Sequence, residues 1–337
     1  MTVTSVAQWC EVFLVSACGC ILCGPAVVQV LRTKQWLQPI RYEDCPPLLP
    51  IQQTKQGTPT MGGLLVLGVA LAVAAMFGGL ARPGGWAVVM AVVGLGVIGL
   101  IDDLLKLQRP NAKGLRCWPK LLAALGIGGG VGWLVGDPGA GYRSVTVPWL
   151  STRLDLGLLW IPYAALVIAG CAHAVNLSDG MDGLAVGCLT LAFSVIGVLT
   201  VLLLGLPTEP GAPLVAIWCA GFAGSCLGFL WFNSFPASVF LGDVGALGLG
   251  GALWAVALLT HAAFLLLIVG GIFVAEALSV MLQVASYRWR NKRRLFRVAP
   301  LHHHFQLGGM SEHKVVVRFW IAGTLLAALG LSAFRHS

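Results

Sequence analysis

Apolar runs long enough to cross a lipid bilayer recur along the whole of this chain, and that recurrence leaves few folds open. A spanning helix needs about 20 mostly apolar residues, with tilt or flanking residues making up shortfalls. Ten runs meet that need: Val12–Leu31, Met61–Leu80, Gly84–Ile101, Leu121–Val135, Leu156–Ala174, Leu184–Leu206, Leu214–Phe232, Val244–Leu259, Ala262–Tyr287 and Val315–Phe334. The stretch from Val244 to Tyr287 is too long for one helix and is divided near Thr260–His261. Only 10% of the 337 residues are charged, against about 25% in a soluble domain. So little charge cannot cover a water-facing surface, whereas a lipid-facing surface does not need it. The expected fold is an all-α integral membrane protein of about ten transmembrane helices, a single polytopic domain over residues 1–337.

The ten cysteines do not form a disulfide framework in this reading. Cys18, Cys20, Cys23, Cys171, Cys188, Cys219 and Cys226 sit inside apolar runs, where they act as small packable hydrophobes. Cys20 and Cys23 make a lone C-x-x-C, and no second pair or nearby histidine completes a zinc site. The first run has no basic residue before it, so it reads as a retained span rather than a signal peptide.

Basic residues orient the spans. The loop after the first run carries Arg32, Lys34, Arg41 and Lys55, and the loop after the third carries Lys106, Arg109, Lys113, Arg116 and Lys120. The loop after the ninth carries Arg288, Arg290, Lys292, Arg293, Arg294, Arg297 and Lys314. Those three loops share one side and hold 16 of the 21 basic residues. The other side has Arg82, Arg143, Arg153 and Arg335. The positive-inside rule places the rich side in the cytoplasm and both termini outside. The run Arg288–Arg297 is a topology anchor against anionic lipid heads, a role compatible with drawing in an anionic substrate.

Aspartates then mark a site. Asp102 and Asp103 close the third run, Asp179 and Asp182 follow the fifth, and Asp243 precedes the eighth, all on the cytoplasmic side. An ionised Asp at mid-membrane costs roughly 2.5–3.5 kcal/mol, so these belong at the water boundary. Adjacent carboxylates still repel and need a cation, a base or a shared proton. In Asp102-Asp103-Leu104-Leu105-Lys106 a continuing helix puts Lys106 one turn from Asp102 and within reach of Asp103; the plainer reading is a helix end with an internal ion pair. In the stretch Asn176–Ala185, Asp179 and Asp182 share a face if helical, with Gly180 and Gly183 allowing close approach; the plainer reading is a polar turn. Between Asn233 and Asp243, Phe240 can stack on a base, or dip into lipid from a Pro-broken loop. His302, His303 and His304 cannot all face one way on a helix and read best as a loop; a zinc site or a tag remnant is the alternative. Gln52–Gly63 offers Lys55, Thr58 and Thr60 as donors, or Thr60 as a helix cap. Carboxylates suit Mg²⁺, and basic and imidazole groups suit phosphate oxygens. The chemistry implied is metal-assisted phosphate chemistry at the cytoplasmic face.

The stretches KQGTPTMGG, DDLLK, NLSDGMDGLA, NSFPASVFLGD and APLHHHFQLGG, in that order, resemble the polyprenyl-phosphate N-acetylhexosamine-1-phosphate transferase superfamily over nearly the whole chain. The histidine stretch resembles the branch that handles phospho-MurNAc-pentapeptide. The resemblance implies that undecaprenyl phosphate attacks the β-phosphate of UDP-MurNAc-pentapeptide, that UMP leaves and that lipid I forms with Mg²⁺ required. It also implies a homodimer in a bacterial plasma membrane, in contact with membrane lipid and with no nucleic-acid partner. Carried over by motif, Asp102 and Asp103 form the catalytic pair, and Asp243 with Asp103 holds the metal. Lys55, Asn176, Asp179, Asp182, Asn233 and Phe240 match nucleoside-pocket positions, and Thr60, Lys106 and Lys120 match polar positions of the site. His302, His303 and His304 match a motif near the sugar-phosphate. Gln306 stands where the branch usually has Glu. The rival within the class is GlcNAc-1-phosphate transfer. An ion-coupled transporter needs aspartates deep in spans with internal repeats, and an intramembrane aspartyl protease needs a second Asp inside a span.

Overall fold

In lipid, every backbone N–H and C=O must be satisfied within the protein, and an apolar segment does this by becoming a helix. The computed structural model describes residues 3–38, 53, 55–108, 114–136, 143–147, 149, 152–202, 212–261 and 263–333. Each of the ten expected runs is helical: α1 (Val3–Thr33), α2 (Gly63–Met76), α3 (Pro83–Gln108), α4 (Cys117–Val135), α5 (Trp160–Ser178), α6 (Leu184–Leu202), α7 (Ala212–Asn233), α8 (Gly242–Leu258), the pair α9 (Ala263–Val269) and α10 (Gly271–Trp289), and finally α12 (Glu312–Ala333). A short α11 (Leu301–Gln306) precedes the last. Arg41, Arg109, Lys113 and Arg335 of the charge argument lie outside the described residues, as do Leu206, Ala262 and Phe334 at ends of expected spans.

Among the described residues, seven helices are long and apolar enough to cross a membrane, or eight with the bent pair counted as one. The chain is thus a multi-pass helical membrane protein. The difference from ten lies in α2 and α8, of 14 and 17 residues. At 1.5 Å per residue they reach roughly 21 and 26 Å, short of a hydrocarbon core of about 30 Å.

Two departures from expectation have local causes. The run Ala262–Tyr287 is not one straight span, because α9 and α10 meet at 81°. Gly270 and Gly271 sit at the corner, and glycine is the weakest helix former after proline. Between α4 and α5, Ser144–Val147 pairs antiparallel with Thr152–Asp155 as a β-hairpin. Thr146 N–H donates to the carbonyl of His261 at 3.0 Å, tying the hairpin to the α8–α9 turn.

The helix α8 is the axis of the bundle. It is buried from Val244 to Leu258 and contacts α3, α5 and α2 along its length. Its sequence GDVGALGLGGALWAVAL is rich in Gly and Ala, which lets neighbouring backbones approach closely. Its N-terminus therefore opens in the middle of the bundle, beside the C-terminal end of α3.

Candidate active site

The helix α3 continues past Ile101 to Gln108, so the sequence DDLLK lies on regular helix. Lys106 Nζ reaches Asp102 Oδ2 at 2.5 Å and Asp103 Oδ1 at 3.7 Å, as the i,i+4 and i,i+3 spacings require. Gly242 starts α8 with φ +75°, a conformation that costs a side-chain-bearing residue about 1–2 kcal/mol. That turn aims Val244 N–H at Asp103 Oδ2 (3.1 Å), so Asp103 meets the positive end of α8. Lys120, in the first turn of α4, bonds Asp243 Oδ2 at 2.5 Å and lies 3.4 Å from Asp102 Oδ2. Lys106 also reaches Asp243, at 3.0 Å. Leu115 N–H donates to Asp102 Oδ1 at 2.6 Å.

Carboxylate oxygens of Asp102, Asp103 and Asp243 all lie within 4.8 Å of one another. Three carboxylates and two ammonium groups share a largely buried site, formally one negative charge in excess when all are ionised. An all-oxygen donor set with excess negative charge fits a hard divalent cation. The same lysines fit phosphate oxygens.

A second group lies beside the first. Lys55 Nζ sits between Asp182 Oδ1 (2.6 Å) and Glu312 Oε1 (2.5 Å), and 5.8 Å over the Phe240 ring. Glu312 also accepts Asp182 N–H, and Asp182 Oδ2 accepts Ala237 N–H, both at 2.9 Å. Asn233 is buried; its side chain accepts Gly183 N–H at 3.1 Å and donates to the Val239 carbonyl at 2.9 Å. It therefore ties the loop after α5 to the loop before α8.

The shared helical face expected of Asp179 and Asp182 does not form, because α5 ends at Ser178 and both lie in the turn beyond it. Asp182 turns toward Lys55, while Asp179 lies within the field of Asp243, Asp103 and Lys55. Burial, reinforced by the negative charge of Asp243 and Asp103, pushes the Asp179 carboxyl well above the usual carboxylate range. Asn176 is half-buried in the last turn of α5. Thr60 is buried, its Oγ1 close to Gly242 and without a hydrogen-bond partner among the described residues.

The histidines correct a second expectation. They lie on α11, not in a loop: the rings of His302 and His303 stay 4.2 Å apart, centroid to centroid, while the helical step turns His304 away from them. His302 is fully buried with Nδ1 3.2 Å from Glu276 Oε2. His303 hydrogen-bonds Gln306 Oε1 at 3.1 Å and, with His302, borders the Gly180 turn. Burial, then the neighbouring His302, moves His303 down to about 3, so it is neutral at physiological pH. His304 points away, accepting Arg297 N–H at 3.1 Å with its edge on Phe296.

Sequence reasoning missed Glu276 and Glu312. Glu276 had a usable signal: it is an acid inside an apolar run, where a charge is expensive and needs a partner. Glu312 has only its place in the first turn of α12.

A multi-pass bundle thus gathers three carboxylates and two lysines at the mouth of its central helix, a set whose chemistry suits a divalent cation and phosphate oxygens. Residues 85–261, from α3 through the end of α8, match glycosyl transferase family 4, and the protein is a transferase of that class. Residues 55–67, which include Lys55 and Thr60, match signature 1 of phospho-N-acetylmuramoyl-pentapeptide-transferase. Curated proteins of that name are similar over most of their length. The one from Thermodesulfovibrio yellowstonii is 46% identical over 292 residues, 83% of this chain and 81% of the relative. Those from Pelobacter propionicus and Citrifermentans bemidjiense are 42% and 43% identical, covering 94% and 93% of this chain and 89% and 88% of the relatives. The chain belongs to the phospho-N-acetylmuramoyl-pentapeptide-transferase family.

Proposed function

We propose that the protein transfers phospho-MurNAc-pentapeptide from UDP-MurNAc-pentapeptide to undecaprenyl phosphate, giving lipid I and UMP. The observation that carries this reading is the meeting of Asp102, Asp103, Lys106, Lys120 and Asp243 at one point. The relatives' name supplies the sugar-peptide, and the apolar bundle suits a polyprenyl acceptor. The site faces the cytoplasm of a bacterial inner membrane, both termini lie outside, all ten helical segments serve as spans, and two copies pair as a homodimer.

Asp243 and Asp103 would hold Mg²⁺, which when bound spreads charge from the diphosphate and makes UMP a better leaving group. Lys106 and Lys120 now neutralise the carboxylates. In the loaded site they turn toward the phosphate oxygens and stabilise the charge that grows there. Asp102 accepts the proton of the lipid phosphate. Lys55, Asp182 and Phe240, with Asn176 and Asp179, hold the nucleoside, and Asn233 and Thr60 support the loops around it. His303, as a neutral imidazole, offers hydrogen bonds to the sugar-phosphate, with His302 and His304 on either side of it.

The deciding assay incubates detergent-purified protein with undecaprenyl phosphate, Mg²⁺ and either UDP-MurNAc-pentapeptide or UDP-GlcNAc, and follows UMP release. Release with the muramoyl substrate, abolished by chelator and restored by Mg²⁺, is expected. Release with UDP-GlcNAc alone would reassign the substrate. Rapid quenching with a β-phosphate label separates direct attack, which leaves the protein unlabelled, from an aspartyl-phosphate on Asp103.

A further inference from the structure

Glu276 sits in the second turn of α10 with no exposed surface. A carboxylate buried so completely is retained only if other groups satisfy it. Those groups come from the histidine helix. Leu301 N–H donates to Glu276 Oε2 at 2.7 Å, and His302 N–H donates to Oε1 at 3.1 Å. These are the first amides of α11, which have no partner within the helix. Glu276 thus anchors α11 from a neighbouring element.

The same carboxylate faces the ring of His302. Nδ1 lies 3.2 Å from Oε2, close but off the line of a well-aligned hydrogen bond. On the other edge of the ring, Nε2 is buried, has no hydrogen-bond partner among the described residues, and abuts Gly180 so closely that a Cβ there would collide with it. The ring of His302 also lies 4.2 Å, centroid to centroid, from that of His303. His302 is therefore wedged between Glu276 on one side and the Asp179–Asp182 turn on the other.

We propose that Glu276 is a positioning residue for the transfer reaction. Its carboxylate holds a proton on His302 Nδ1 and fixes the ring, and through that ring it sets His303 and the Gly180 turn against the substrate. A carboxylate that accepts from one imidazole nitrogen decides what the other nitrogen can do. The proposal rests on the functional reading above, in which the histidine helix borders the sugar-phosphate.

Two measurements test it, one of them independent of activity. Histidine-selective ¹⁵N spectra of the detergent-solubilised protein, with His302 assigned through H302Q, report which ring nitrogen carries a proton. A protonated Nδ1, in a neutral or a cationic ring, is expected; a neutral ring with its proton on Nε2 overturns the proposal. Glu276→Gln should lower kcat by about tenfold or more. KM for the nucleotide substrate should stay within about twofold, since the defect lies in placement and not in uniform binding. Glu276→Asp should recover part of the loss. Wild-type kcat in a folded E276Q protein, or a change in KM alone, overturns the proposal. If E276Q does not fold, the wild-type nitrogen spectra decide. A wild-type protein inactive on the muramoyl substrate would overturn the functional reading, while the spectra still decide the Glu276–His302 pairing.

Discussion

Asp102 and Asp103 are adjacent in sequence and share Lys106, yet they accept different backbone amides, because a helix turns 100° between them. Asp102 accepts an amide from the α3–α4 connection and pairs with Lys106, while Asp103 accepts an amide from α8. Asp102→Asn should lower turnover by about 100-fold or more if that carboxylate is the base; near-normal turnover at every pH would remove it from that role. Lys120→Met deletes the donor that spans Asp243 and Asp102, and should also cost about 100-fold in kcat. His303 carries a prediction about pH. Its folded pKa of about 3 lies below the ordinary 6.5, so the unfolded chain binds the extra proton between those values. The stabilising contribution is present above pH 6.5 and is lost as pH falls toward 3. His303→Gln should therefore unfold with less acid sensitivity than the parent, as read from melting temperatures in detergent at pH 7.5 and pH 5.

At the scale of the element, the N-terminus of α8 is the most demanding joint. Gly242 combines a positive φ with a close approach: a Cβ there would lie 2.8 Å from Asp103 Oδ2 and 2.9 Å from Met61 N. Gly242→Ala should cost about 1–3 kcal/mol of stability and displace Asp243 from Lys120. Both a lower melting temperature and a loss of turnover are expected; unchanged turnover would show that the joint tolerates a side chain. The existence of the long helices was legible because apolar runs have few alternatives in lipid. The corner at Gly270 was not, because a Gly-Gly pair inside an apolar run permits a bend without requiring one. The histidine helix escaped notice for a related reason. Six residues make a weak helix alone, and α11 is held by the Glu276 carboxylate from another part of the chain.

Across the whole molecule, the proposed orientation puts Arg290 inside and the tip of the hairpin region outside. Both Arg290 and Trp149, the latter in the turn between the two strands, are exposed. In a background stripped of native cysteines, Arg290→Cys should react with an impermeant thiol reagent only from the cytoplasmic side, and Trp149→Cys only from the other. The reverse pattern would invert the protein and place the carboxylate cluster where nucleotides are absent.

Sequence alone determined the class of solvent, the ten apolar segments and the residue types of the site, since hydropathy and charge act locally and leave a direct trace in composition. It also showed the spacing by which Lys106 serves both α3 carboxylates, because a helix repeats without reference to anything else. Only the tertiary structure decided that Asn233 is a tie between loops, that Glu312 completes the Lys55 group, and that Glu276 stands behind His302. The Gly183–Asn233, Lys55–Glu312 and Glu276–His302 pairings join positions 26 to 257 residues apart. Long-range contacts of this kind are set by how helices pack, through small residues and shape, and no local pattern records which buried carboxylate a distant amide will find.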